Sequence, residues 1–272
     1  FGFAQPGPQA LAPLFPSADA EVSFETARLL AMVEAEDPVL PDKLLAQITD
    51  RSAPTADFHY LTVLARVRAP FGSNSFGKIA QNILALDRKL DRVEQRPRQN
   101  WSTRLAEVLQ ELLKREPRLA DALLRDPQLT RPGNLPLVAR IGSARYMGCA
   151  RMFLRAAQAN ASYPWSAPLI DLLAVLPPEE TTPLFRRQWS NIALRDRLVI
   201  ELAHKPEAAD RDKFLAGLAS ANLPTAAASL GALLALPRDG TTRALVPAMR
   251  LLRALLNQPK EESLRADVLS LV

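Results

Sequence analysis

Twenty-three prolines punctuate this chain of 272 residues, about one in every twelve. Proline lacks an amide hydrogen, and its ring clashes with the preceding helical turn, so a helix accepts it readily only in its first turn. Between the prolines the chain is dominated by 46 leucines and 43 alanines, both good helix formers. These two facts together predict many short helices with proline at the joints. Aromatic residues at 6 % are too few for an all-β fold, and an apolar share of 48 % is too high for a disordered chain. The single cysteine has no partner within the chain, which excludes a disulfide scaffold.

Read along the chain, the apolar spacing repeats this theme. A lead-in over residues 1–16 carries four prolines and a short helical turn at Gln9–Phe15. Asp19 is placed to cap a first helix, with Val22, Ala27, Leu30 and Val33 on its buried stripe. Ile79, Ile83, Leu86, Leu90 and Val93 recur at intervals of four and three, the stripe of an amphipathic helix over Ser75–Val93. Asn100–Arg115 follows, with Trp101, Leu105, Val108 and Leu112 inward and a Glu111–Arg115 pair on the surface. Thr182-Pro183 and Ala53-Pro54 read as helix starts. The whole chain yields about fifteen helices, paired short with long at a period of roughly 30–45 residues, the range of helical repeat arrays. Short connections make successive helices antiparallel neighbours. Residues 17–272 are expected to form a single repeat domain with an irregular middle at 115–162.

Three segments carry a shared pattern: Asp19-Ala-Glu-Val22 followed by Thr26, Ala27 and Leu30; Asp196-Arg-Leu-Val199 with Ala203; and Leu264-Arg265-Ala266 with Val268 and Leu269. The pattern resembles the second helix of HEAT repeats. That resemblance implies an all-α fold, a right-handed α-solenoid of HEAT-like antiparallel helix pairs, with small residues where helices cross closely.

Catalytic chemistry is hard to find. His59 and His204 are 145 residues apart, and neither has a second His or Cys one helical turn away, which argues against a histidine metal site. Cys149 lies within an apolar helical segment with no base tied to it and reads as a small buried hydrophobe. Gly72-Ser-Asn-Ser-Phe-Gly-Lys78 matches the spacing of a phosphate-binding loop. The next residue is Ile79, where a metal-binding hydroxyl is needed, and the preceding segment reads as helix where a strand is required. No cofactor is expected.

The net charge is +5, and 27 of the 34 basic residues are arginine. Arg88, Lys89, Arg92, Arg96, Arg98 and Arg104 cluster within one stretch, and Arg151 and Arg155 form another pair one turn apart. If these share a face, they form a candidate surface for an anion or a protein partner.

Four segments, Ala85-Leu-Asp-Arg-Lys-Leu90, Gln99-Asn-Trp-Ser-Thr-Arg104, Ile192-Ala-Leu-Arg-Asp196 and Asp210-Arg-Asp-Lys-Phe-Leu-Ala-Gly-Leu218, are similar to the helical repeat region of large secreted planctomycete-type proteins. Those proteins join a dehydrogenase-type propeller, HEAT-like repeats and a c-type haem domain. The haem-attachment motif Cys-x-x-Cys-His is absent here, so no redox chemistry carries over. What the resemblance implies is a non-catalytic scaffold or spacer in an extracytoplasmic protein, contacting proteins or neighbouring domains of the same polypeptide. The alternative is a nucleic-acid-binding repeat protein that uses the Arg-rich face. No stretch is long and apolar enough to insert in a membrane.

Overall fold

Many of the short helices begin where the sequence supplies a proline or a capping side chain. The computed structural model describes residues 11–72, 75–93, 100–238, 242–256 and 261–271. Among these residues the structure is entirely helical, with no strand. A 3-10 turn at Ala12–Leu14 precedes α1 (Ala20–Met32), α2 (Leu40–Ala46), α3 (Pro54–Arg66), α4 (Ser75–Arg92), α5 (Trp101–Arg115), α6 (Leu119–Arg125), α7 (Leu135–Ile141) and α8 (Ser143–Ala159). There follow α9 (Ala167–Leu173), α10 (Pro178–Arg187), α11 (Arg195–Ala203), α12 (Arg211–Leu218), α13 (Leu223–Ala235), α14 (Leu245–Leu255) and α15 (Glu262–Leu271).

Proline occupies one of the first two positions of α2, α3, α7, α9, α10 and α13, where its missing N–H leaves no hydrogen bond unmade. Asp19 caps α1 as expected, accepting from the amides of Glu21 and Val22 at 2.8 and 3.1 Å. Ser166 and Asn222 cap α9 and α13 in the same way. The Thr182-Pro183 start is corrected. Helix α10 begins at Pro178, and Pro183 lies inside it, where one backbone hydrogen bond is lost. The N-terminal charge of α10 comes from Glu179 and Glu180 in its first turn.

The chain divides into two units, Phe1–Met152 and Phe153–Val272, and the division falls within α8. It also falls inside the stretch at 115–162 where an irregular middle was expected.

In the first unit, α1 packs on α3, α2 on α3 and α4, α3 on α4 and α5, α4 on α6, and α5 on α6 and α7. Each helix thus meets the next or the next but one along the chain. Leu30, Leu44, Leu61, Leu64, Ile79, Ile83, Leu84, Leu86, Leu109 and Leu112 form the fully buried core. The α1 stripe differs from expectation. Ser23, Thr26, Ala27 and Leu30 are inward, while Val22 and Val33 are 51 % and 41 % exposed. The two valines sit at the margin of the buried face, and the small Ser23 and Thr26 let α3 approach there instead. Val93 lies just past the end of α4 and is exposed too.

The second unit follows the same local rule. Helix α9 packs on α11, α10 on α11, α11 on α12 and α13, α12 on α13 and α14, and α13 and α14 on α15. Its core centres on Ile170, Leu173, Leu198, Val199, Phe214 and Ala226. The close approach of α11, α12 and α13 depends on Gly217. A Cβ at this position of α12 would sit 2.2 Å from Ser229 Oγ on α13 and 2.8 Å from Val199 Cγ1 on α11.

This geometry predicts opposite outcomes for two glycines in the same unit. Gly217→Ala should lower stability by about 1–3 kcal/mol through overpacking. Gly231→Ala on α13, where nothing lies within 4 Å of the added carbon, should raise it by about 0.5–1 kcal/mol. Urea unfolding of the two variants checks both signs.

Candidate interaction surface

The basic residues singled out from the sequence have different individual settings. Arg88 and Arg92 lie on α4, but Arg88 donates to Asp50 at 3.2 Å while Arg92 is exposed. Arg104, in the first turn of α5, pairs with Glu107 at 3.2 Å. Arg96 and Arg98 lie outside the described residues. Arg151 and Arg155 are exposed on α8, one turn apart.

Lys89 is corrected outright as a surface residue. It is only 5 % exposed, and it points into the first unit. Its ammonium donates to the carboxylate of Asp57, to Ser52 Oγ at 3.1 Å and to the Thr49 carbonyl. Asp57 is 0 % exposed and also accepts from Ser52. Four groups from the loop after α2, from α3 and from α4 thus close one ionic knot. A buried carboxylate and ammonium tolerate loss of water only when each satisfies the other, which is the arrangement here.

Other basic side chains are likewise turned to neighbouring helices. Arg115 does not pair with Glu111, which takes Lys114 instead at 2.7 Å. Its guanidinium lies 4.4 Å over the Phe71 ring and donates to the carbonyls of Leu64 and Ala69, covering acceptors at and beyond the end of α3. Burial pushes its pKa down. Arg131 bridges Asp87 and Asp91 of α4 at 2.8 and 2.6 Å.

In the second unit Arg186 of α10 grips Asp210 with two nitrogens and reaches Glu207 at 2.6 Å, while Lys213 reaches Asp210 at 2.7 Å. Burial alone would raise the Asp210 carboxyl, but hydrogen bonds from Arg186 and Lys213 outweigh it and hold the group below its ordinary range. Asp171 pairs with Arg197, Glu179 with Lys205, Asp196 accepts from Ser220, and Arg211 donates to the Pro237 carbonyl. These contacts and Arg186–Asp210 all link residues 24 or 26 apart. Arg238 reaches the Ser270 carbonyl across 32 residues, so the contacts of this unit span spacings both below and within the expected 30–45. The shorter spacings accompany shorter helices: α9 to α12 have 7, 10, 9 and 8 residues, against 13, 18 and 15 for α3, α4 and α5.

The described residues of the first unit form a concave feature. An open groove of about 600 Å³ runs between α4 and α6, walled by Phe76, Gly77, Ala80 and Gln81 on one side and by Arg118, Asp121, Ala122, Arg125, Asp126 and Pro127 on the other. Sequence reasoning missed it because it comes from two helices whose lining residues are unremarkable one by one. The only signal was Gly72–Lys78, the loop-like motif. Its last four residues, Ser75–Lys78, form the first turn of α4 and contribute Phe76 and Gly77. The preceding segment is helix α3, so the strand that a phosphate-binding loop needs is not there.

No protein-family model, no curated protein and no solved structure matches the chain.

The remaining chemically distinctive side chains have structural settings. Cys149 is fully buried in α8, and desolvation pushes its thiol up to about 11. His204 caps the C-terminus of α11, 3.8 Å from Glu201. His59 stacks on Phe24 with ring centroids 3.6 Å apart, and its Nε2 donates to the Phe24 carbonyl at 3.1 Å. Burial favours its neutral form and lowers its pKa. Among the described residues no three His, Cys, Asp or Glu side chains come together as a metal-holding group. None of the described helices is long and apolar enough to cross a membrane.

Two predictions follow the buried groups. Lys89→Met strands the Asp57 carboxylate and should cost about 3–5 kcal/mol, and adding Asp57→Leu should recover most of it; urea unfolding of the single and double variants tests this. His59 is protonated more readily in the unfolded chain than in the folded one. Its contribution is therefore present above about pH 6.5 and lost as pH falls through the lower folded-state pKa. His59→Phe should flatten the fall in urea midpoint between about pH 7 and pH 5.

Proposed function

We propose that the chain is a non-catalytic α-solenoid scaffold or spacer, built of HEAT-like helix pairs, that mediates contacts with proteins or with neighbouring domains of a larger polypeptide. The observation that carries this reading is the packing rule shared by both units. Helices rest on the next helix and the next but one, and ion pairs tie neighbouring helices together. That is the contact pattern of an array that grows by adding units and offers extended surfaces to partners. The distribution of charge supports it as well. Arg88, Lys89, Arg104, Arg115, Arg131, Arg186 and Arg197 are engaged with groups of the chain itself, and a continuous anion track needs such side chains free. The similarity to repeat regions of secreted proteins supports a place between other domains outside the cytoplasm. Its test is the coding sequence on either side: an upstream propeller and a downstream Cys-x-x-Cys-His support it, and their absence overturns it.

The nucleic-acid alternative gives the sharper experiment. Fluorescence anisotropy with a labelled DNA duplex and a labelled single-stranded RNA, at about 50 and about 200 mM salt, should show no binding up to about 10 µM chain. Binding that falls steeply with salt and disappears when Arg88, Arg92, Arg104 and Arg155 are changed to Glu would overturn the scaffold reading.

A further inference from the structure

We infer that copies of this chain associate head to tail, with the outer face of α1 in one copy packed antiparallel against the outer face of α14 in another. This goes beyond the scaffold reading and does not depend on it.

Both helices carry a second apolar stripe. Helix α1 turns Ser23, Thr26, Ala27 and Leu30 inward and packs on α3 and on the 3-10 turn before it. Its outer side shows Val22, Glu25, Leu29 and Met32, at intervals of three, four and three. Helix α14 turns Ala248, Leu251 and Leu255 inward and packs on α12 and α15. Its outer side shows Val246, Met249, Arg253 and Leu256, again at three, four and three. Leu256 is the C-cap and keeps helical dihedral angles, so the stripe runs on through it. The six apolar side chains are between 44 and 71 % exposed. Spacings that alternate three and four are those at which two helices interdigitate.

The charges fix both the occupant and its direction. From Asp19 to Asp37 the chain has six carboxylates, Asp19, Glu21, Glu25, Glu34, Glu36 and Asp37, against Arg28 alone. Arg68 takes Glu34, and Arg28 touches Glu25 only loosely, at 3.8 Å. From Thr242 to Leu256 there are three arginines and no carboxylate. Arg243 pairs with Asp212 at 2.8 Å. Arg250 and Arg253 are exposed and meet no carboxylate among the described residues, Glu261, Glu262 and Asp267 in the neighbouring α15 segment included. The α1 face is therefore apolar and acidic, and the α14 face apolar and basic. Laid antiparallel, the two stripes come into one register. Val22 meets Leu256, Glu25 meets Arg253, Leu29 meets Met249 and Met32 meets Val246. A parallel pairing would set Glu25 on Met249 and Arg253 on Leu29, leaving both charges against apolar groups. Two copies of the same face would set like charges together. The contact is heterologous, so each union leaves one α1 and one α14 uncovered, and growth passes beyond two copies unless a ring closes.

Sedimentation velocity of the full chain tests this. At about 1 µM the mass should be that of one chain, and at about 300 µM it should exceed twice that value. Glu25→Arg and Arg253→Glu should each weaken association at least tenfold, because each puts like charges at the centre of the seam. Both positions are exposed, so neither variant should shift the urea midpoint. An equimolar mixture of the two variants should associate again, since each α1 then finds an α14 of opposite charge. The double variant should associate by itself for the same reason. Leu29→Lys provides an independent break in the apolar part of the seam. A chain that stays monomeric at 300 µM overturns the inference, whatever other segment covers these faces. So does association that ignores both charge reversals, or a mixture that stays as monomeric as its parts. These failures leave the scaffold reading standing, since that reading falls instead to salt-dependent nucleic-acid binding.

Discussion

No helix in this protein can bury its own apolar stripe, and most of the structure follows from that. Four helices, α2, α6, α7 and α9, have seven residues each, about two turns. Isolated helices below about 12–15 residues are marginal in water whatever their composition. The stability of each therefore resides in what it rests on. The stripe Ile79–Ile83–Leu86 of α4 becomes dry only when α2, α3 and α6 are in place. The same dependence explains the small residues at close crossings. Gly217 gains nothing for α12 as an isolated helix, yet it sets how near α11 and α13 can come.

Electrostatics reinforces this packing and does not replace it. The chain uses 27 arginines against 7 lysines, and several of the described ones use their fork to hold two acceptors at once. Arg186 holds Asp210 and Glu207 together, Arg131 spans two aspartates of α4, and Arg115 takes two backbone carbonyls that α3 and the following loop leave open. The planar guanidinium meets both acceptors in a fixed fork, where a lysine ammonium offers only a point charge. The exposed ion pairs contribute little each. The buried ones fix which helix faces which, because a misplaced carboxylate such as Asp57 would be left dry and unpaired.

Much of the helical layout was legible in the sequence because its signals are local. Proline in a first turn, Asp19 as a cap and the α4 stripe each depend on residues a few positions apart. What was not legible depends on neighbours distant in the chain. Lys89 reads as one more surface cation beside Arg88, and only Asp57, thirty-two positions earlier, turns it inward. Glu111 and Arg115 have ideal helical spacing, but two carbonyls of another segment compete better for the guanidinium. Pro183 carries the marks of a helix start, and only the earlier Pro178 with its two glutamates shows that the start was already taken. The groove was hidden for the same reason, since its shape comes from small side chains on α4 and α6 meeting across a gap of about forty residues.

The burial of Cys149 has a practical side. It is the chain's only cysteine, and its thiol is both enclosed and held far from the thiolate form. Thiolates, not thiols, react with maleimides and disulfides. Near neutral pH the native protein is thus a blank background for thiol chemistry. A cysteine introduced at any exposed position would be the single point of attachment for a fluorophore or spin label. Distances between such points, one in each unit, could be measured without first altering the wild-type sequence.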